Sequence, residues 1–329
     1  MPTESPPPNA PSDAAAAGQQ RWRADDAPSG PAASEVPPPP EDDDPLPSRP
    51  RRLFLPALLF LTTCGTTFWA GAHLRFWGPG YLPIFGMWRD GLAYMAAVMG
   101  ILVAHEMGHF AQAVRYRVPA SWPFFIPMPL TPFGTMGAVI GMQGSKADRR
   151  QMFDIGISGP LAGLLVAVPI AWLGCRQLDL DQNMRGSITF GLPLALRGLM
   201  WLAQPDGARI AEVGLEQMNP LLLAGWVGML VTGLNMLPVS QLDGGHVTYA
   251  LFGKRAHYLA RGLLIGAMIV VVAYDLNEWV VMLVLVTLIG VDHPPTANDR
   301  VSLGPIRVVL GLASLAIPLL CLMPSPIRL

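Results

Sequence analysis

The sequence predicts an all-α polytopic membrane protein of six or seven transmembrane helices that also carries a small membrane-embedded β-hairpin. Three observations lead there. Of the 329 residues, 51% are hydrophobic and only 14% charged, against about 25% charged in an ordinary soluble domain. Apolar runs recur along the chain at lengths near the roughly 20 residues with which an α-helix crosses a hydrocarbon core. Between two of those runs lies a stretch interrupted by Pro and Gly, whose backbone survives at membrane depth only where protein or water covers it.

The elements follow in order. Residues 1–48 hold nine acidic and two basic residues, and fourteen of the 34 prolines fall within residues 1–50. Such a segment buries too little apolar surface to offset its chain entropy, so residues 1–52 are expected to form a disordered, acidic, Pro-rich N-terminal tail. Its acid content and lack of an apolar run also set it apart from a signal or transit peptide. Residues 53–329 are then the polytopic membrane domain, with a core at 91–247. Its first span is expected at 53–72, followed by a Gly-, Pro- and Trp-rich interfacial loop at 76–89 and a second span at 91–114. Further spans are expected at 155–174, 220–239, 262–274, 279–291 and 306–322, the fifth and sixth short enough for a helical hairpin. Residues 188–202 suit an interfacial helix. Between the second and third spans, five prolines from Pro119 to Pro132 precede Phe133-Gly-Thr-Met-Gly-Ala-Val-Ile-Gly-Met142, a partly β-branched run that suits a β-hairpin or re-entrant segment.

Charge gives orientation. Arg49, Arg51 and Arg52 precede the first span, Arg115 and Arg117 follow the second, Lys146, Arg149 and Arg150 precede the third, and Lys254 and Arg255 follow the fourth. All four clusters agree on one side, which by the positive-inside rule is cytoplasmic and places the N-terminus there. A formal net charge of −1 and the absence of a basic stripe exclude nucleic acid as an expected partner. Cys64, Cys175 and Cys321 stand singly in apolar segments and are expected as buried thiols.

The chemistry concentrates in two motifs. His105-Glu106-Met107-Gly108-His109 sits at the cytoplasmic end of the second span. Its i, i+4 spacing puts both imidazoles on one helix face, within reach of one tetrahedral Zn²⁺. Glu106 can then face the attacking water as general base. Two histidines that only satisfy structural hydrogen bonds are the bland alternative, but inside an apolar helix such groups need a compensating partner. A hydrolytic site needs a third ligand, and Asp243 is the candidate, in Asn235-Met-Leu-Pro238-Val-Ser-Gln-Leu242-Asp243-Gly244-Gly245-His246 at the same end of the fourth span. Alone, Asp-Gly-Gly more often marks a turn or cap; paired with the first motif at matching depth, the ligand reading is favoured. Glu212 and Glu216 fit poorly, in a polar loop expected on the opposite side.

Together the two motifs resemble the site-2 protease family of intramembrane zinc metalloproteases, from about residue 91 to about 247. The resemblance implies one Zn²⁺ held by His105, His109 and Asp243, water activated by Glu106, and substrate held near the metal by Asn235. The run from Phe133 to Met142 resembles the family's membrane-embedded β segment, and Ser158-Gly159-Pro160-Leu161-Ala162-Gly163 its third-span motif. Asp292-His293-Pro294-Pro295 is similar to members from bacteria and plastids. The expected activity is hydrolysis of a peptide bond within or near the transmembrane segment of a single-pass membrane protein, in a prokaryotic plasma membrane. The substrate would pair as a strand with the hairpin edge at Gly137 and Val139. A metal or proton transporter is the competing reading, since intramembrane His and Asp also mark ion pathways; a non-catalytic binder of membrane helices is the third. Gly159 and Gly163 read more simply as a helix-packing pair, His246 as a turn cap or a residue supporting the metal ligands from behind, and His73, His257 and His293 as solvated residues at helix ends or loops.

Overall fold

The apolar run after the arginine cluster forms α1 (Phe54–Ala72), and the span that carries the His-Glu-x-x-His motif forms α2 (Trp88–Arg115). The computed structural model describes residues 53–72, 88–179, 188–204, 210–215, 217–239 and 241–328. The expected tail at 1–52 and most of the expected loop at 76–89 lie outside the described residues, as does Glu216. After α2 come strands β1 (Phe124–Met128) and β2 (Gly134–Val139), then α3 (Arg149–Arg176), β3 (Thr189–Gly191), α4 (Leu194–Ala203), β4 (Glu212–Gly214), α5 (Pro220–Asn235), α6 (Asp243–Phe252), α7 (Ala256–Ala273), α8 (Val280–Ile289), α9 (Pro305–Ser314), α10 (Ile317–Cys321) and β5 (Ile327–Arg328).

Among the described residues, four helical stretches are long and apolar enough to cross a membrane: α1, α2, α3, and the run Asp243–Ala273 that α6 and α7 make together. Their outer faces carry exposed Leu61, Leu165 and Val272, apolar surface that a soluble protein would cover and a bilayer solvates. The other expected spans are shorter helices. α5 has 16 residues and α8 has 10, and the expected span at 306–322 is divided between α9 and α10.

α2, α3 and α5 pack against one another at the centre, with α1 against α2 and α6 against α3. Small residues let these axes approach: a Cβ on Gly225 would meet Ala171 Cβ at 2.5 Å, and one on Gly228 would meet Ile101 at 3.0 Å. Trp226 of α5 is fully buried and donates from Nε1 to the Gly191 carbonyl at 2.7 Å, so the centre of the bundle is tied to β3. Two helix starts are fixed by side chains. Asp148 accepts from Gln151 N while Gln151 accepts from Asp148 N, a capping box ahead of α3. Asn219 caps α5 at Leu222 N (2.9 Å) with Pro220 as the first helical residue, and its amide donates to the last turn of α3 at Gly174 O (2.9 Å).

The chain is not all-α. β1 and β2 form an antiparallel hairpin with an irregularity between Phe125 and Pro127. The hairpin is therefore longer than the expected Phe133–Met142 run, because its first arm comes from the proline-rich stretch. Pro127 is tolerated since the ladder is already broken at the bulge. Gly134 opens β2 with φ +73, and a Cβ there would strike the backbone of Thr66 and Thr67, where Thr66 Oγ1 donates to Gly134 O at 2.7 Å. A second sheet, β4-β3-β5, was not expected. It takes β3 from the segment expected as an interfacial helix, and it places Glu212 of the expected polar loop in a strand, paired with Arg328.

Candidate active site

In α2 the i, i+4 spacing sets His105 and His109 on one face, and both point at the first residue of α6. His105 Nε2 lies 3.1 Å from Asp243 Oδ2, His109 Nε2 lies 3.2 Å from Asp243 Oδ1, and the two Nε2 atoms are 3.2 Å apart. Asp243 does not end a span, as the sequence led us to expect. α5 stops at Asn235, the chain turns through Pro238, and Asp243 begins a new helix. Gly244 is what brings the two ends so close, because a Cβ there would overlap the carbonyls of Met236 and Leu237.

The donor set fits a zinc ion. Ligands at the usual 2.0–2.1 Å Zn–N and Zn–O distances stand about 3.3 Å from one another at tetrahedral angles; the two imidazole nitrogens are 3.2 Å apart, and each has one of the two Asp243 oxygens at 3.1–3.2 Å. His109 Nδ1–H donates to Ile155 O at 2.8 Å, which leaves Nε2 as a lone pair directed at the other ligands. An imidazole lone pair facing a carboxylate in a buried site calls for a cation between them. His105, Glu106 and Asp243 are the kinds of group that apolar helices exclude unless such a partner is present, and His105 and Glu106 are only 2% and 4% exposed.

Glu106 lines the same cavity of ≈ 550 Å³ as the three ligands, together with Asn235 at the end of α5 and Val139 of β2. Asn235 Nδ2 approaches His105 Nε2 at 3.3 Å. Val139 is 53% exposed. Gly137 is not among the residues that line the cavity. It adopts φ +98 within β2, and its N–H donates to Thr135 Oγ1 at 3.0 Å.

Two features were missed in the sequence. Gly159 and Gly163 do permit close packing, but what they pack against is the ligand pair: a Cβ on Gly159 would overlap the His109 ring, and one on Gly163 would stand 3.1 Å from His105 Nδ1. Their four-residue spacing matches that of the histidines, which is the only signal the sequence offered. His293 is the other. Expected as solvated, it is 5% exposed, stacked on Tyr249 at 4.5 Å and hydrogen-bonded to His246, and both histidines line the cavity. Burial holds the His293 imidazole below the usual histidine pKa, against the raising effect of the Pro294 carbonyl, so it is neutral at pH 7. His246 is thus a cavity residue and not a simple turn cap. His257 Nε2 lies 3.1 Å from the His293 carbonyl, and His73 lies outside the described residues.

The sequence is also similar to known proteins. Residues 93–273 match the model for Peptidase family M50. The chain is 34% identical over 169 residues to "Probable zinc metalloprotease EGY1, chloroplastic" of Arabidopsis thaliana, which covers 50% of this chain and 30% of that protein. It is 36% identical over 174 residues to the protein of the same name from Oryza sativa subsp. japonica, covering 51% and 29%. To "Probable zinc metalloprotease EGY2, chloroplastic" of Arabidopsis thaliana it is 25% identical over 241 residues, covering 72% and 42%. The chain thus spans less than half the length of these curated relatives. The family match takes in more than half of the chain, including both histidines, Glu106 and Asp243, and the chain belongs to Peptidase family M50, the site-2 proteases.

Proposed function

We propose that residues 53–329 form an intramembrane zinc metalloprotease domain, with its core at 91–247, that hydrolyses a peptide bond within or near the transmembrane segment of a single-pass membrane protein. The observation that carries this reading is the convergence of His105, His109 and Asp243, at mutual separations of 3.1–3.2 Å, in one cavity with Glu106. His105, His109 and Asp243 would hold the ion. When bound, Zn²⁺ supplies Lewis acidity that polarises the scissile carbonyl and makes water a better acid near neutral pH. Glu106 removes one proton as the water oxygen adds to the carbonyl carbon, and delivers it to the departing nitrogen as the C–N bond breaks. His109 is kept in the ligating tautomer by Ile155 O, and Asn235 and the Val139 edge of β2 position the substrate backbone beside these groups, with Gly137 setting the path of that strand.

A peptide bond in a transmembrane helix is shielded until the helix unwinds, so the substrate carries Gly, Pro or Asn near the cut, where unwinding is easiest. The shorter helices α5, α8 and the α9–α10 pair would add to the four long stretches to make six or seven spans. The four basic clusters support a cytoplasmic N-terminus. The transporter reading has less support: ion passage does not require a carboxylate placed as base beside the ligands.

The test is metal analysis of the purified protein alongside cleavage of a transmembrane substrate, for the wild type and Glu106→Gln. The variant should keep one zinc per chain and lose cleavage by a factor of at least about 100, the low end of what general acid–base catalysis contributes. Cleavage that survives in Glu106→Gln would refute the proteolytic mechanism.

A further inference from the structure

Beside the three ligands, the cavity contains a histidine pair that the proposed mechanism leaves idle. Its tautomers can be worked out from its partners. His293 Nδ1 lies 2.5 Å from Pro294 O, and a carbonyl oxygen at that distance must face an N–H. His293 is neutral, so its Nε2 is a lone pair. His246 Nδ1 lies 2.6 Å from that lone pair and therefore donates to it. With its proton on Nδ1, His246 turns a bare Nε2 to the cavity, and no hydrogen bond to that nitrogen is found among the described residues.

The pair is firmly built. Tyr249 stacks on His293 at 4.5 Å and donates to Asp299 Oδ2 at 2.9 Å, and His257 stacks on Tyr249 at 5.8 Å. The loop that carries His293 is fastened to the start of α3, with Ala297 N donating to Ala147 O at 2.9 Å and Arg149 N to Asn298 O at 3.2 Å. Gly156 leaves room for His246 against α3, since a Cβ there would come within 2.8 Å of His246 Cβ. This much support goes to an imidazole that is not one of the three converging ligands.

An extended substrate segment offers N–H and C=O groups alternately on both of its edges. Pairing with β2 satisfies one edge only. The other edge arrives with N–H groups stripped of water and of their helical acceptors, and each needs a new one. Resting on the protease reading above, we propose that His246 Nε2 accepts a main-chain N–H of the bound substrate, and that His293, through Pro294 O, holds His246 in the accepting tautomer.

The test removes single N–H groups from a substrate. A dye-labelled Leu/Ala transmembrane peptide with a central Asn-Gly-Pro interruption is made as a set of esters, each replacing one amide around the interruption. Binding is measured in detergent to zinc-loaded Glu106→Gln protein, so the readout does not need turnover. At one position the ester should weaken binding by about 3- to 10-fold, the net worth of one neutral hydrogen bond. That penalty should vanish in Glu106→Gln/His246→Ala with zinc content unchanged. It should persist with His246→Gln, whose amide oxygen can take the place of Nε2, and shrink with His293→Leu. An ester penalty unchanged by His246→Ala, or loss of zinc from that variant, overturns the proposal; a penalty unchanged by His293→Leu overturns the part given to His293. The protease reading fails separately, if zinc-loaded wild type does not cut the parent peptide.

Discussion

At the scale of single residues, the candidate ligands stand out in the sequence because their chemistry is improbable in an apolar helix unless a cation compensates it. Asp243→Ala should therefore lose both zinc and cleavage while the protein still inserts, as measured by metal content of detergent-purified protein; wild-type zinc occupancy would place the third ligand elsewhere. The residues that hold the ligands in place carry no such mark. Gly159 and Gly163 look in the sequence like any small-x-x-x-small pair, and only the packing of α3 on α2 shows that the missing side chains make room for imidazoles. Gly159→Ala should push His109 off its position and lower zinc affinity by about 10- to 100-fold, the usual cost of disturbing the shell behind a metal ligand. Chelator competition measures it, and Gly163→Ala, with its Cβ 3.1 Å from His105 Nδ1, should show a smaller loss. Equal affinity in Gly159→Ala and wild type would mean that α3 yields and the glycine is dispensable. His293 escaped notice for a different reason: a polar loop rich in Pro reads as solvated, and its burial depends on contacts with Tyr249 and α3 that no local pattern encodes.

At the scale of elements, hydrophobic length located α1 and α2 to within about one turn because one strong term decides them, while α3 begins six residues before the expected 155, on the charged side of its apolar run. It failed where two terms compete. The proline-rich stretch from Pro119 to Pro132 has no expected strand of its own, yet β1 forms there, since the bulge between Phe125 and Pro127 absorbs the missing donor. The stretch from Asn235 to Asp243 reads in the sequence as the end of one span; in the protein Asp243 starts the next helix, and Gly244 lets it lie against Met236 where no Cβ would fit. Strand pairing of substrate with β2 makes a prediction at this scale. Val139→Pro should leave zinc content intact and reduce cleavage at least about tenfold, because proline both removes a donor and stiffens the edge. Normal turnover with intact zinc would dismiss the pairing while leaving the metal chemistry standing. Substrates whose central Gly, Pro and Asn are replaced by Leu should be cut more slowly by the unaltered enzyme.

At the scale of the whole molecule, the class was legible from composition and the small sheet was not. β3, β4 and β5 have two or three residues each and join segments more than a hundred residues apart in the chain, from Thr189 to Arg328; pairing of that kind leaves almost no local trace. The acidic N-terminal segment is the other large-scale feature, and by composition it adds charge without adding core. Deleting residues 2–48 should leave cleavage of a membrane substrate in detergent within about twofold of the full chain, and a larger loss would reveal a role in catalysis for that segment. The loop that carries His293 has one more implication, for biosynthesis. A ribosome releases His105, His109 and Asp243 well before the loop that closes the cavity with His293 and Pro294 and is laced to Ala147 and Arg149. All three candidate metal-binding side chains are thus in the chain before the wall beside them is laid down, and that wall is the last part of the cavity to be built.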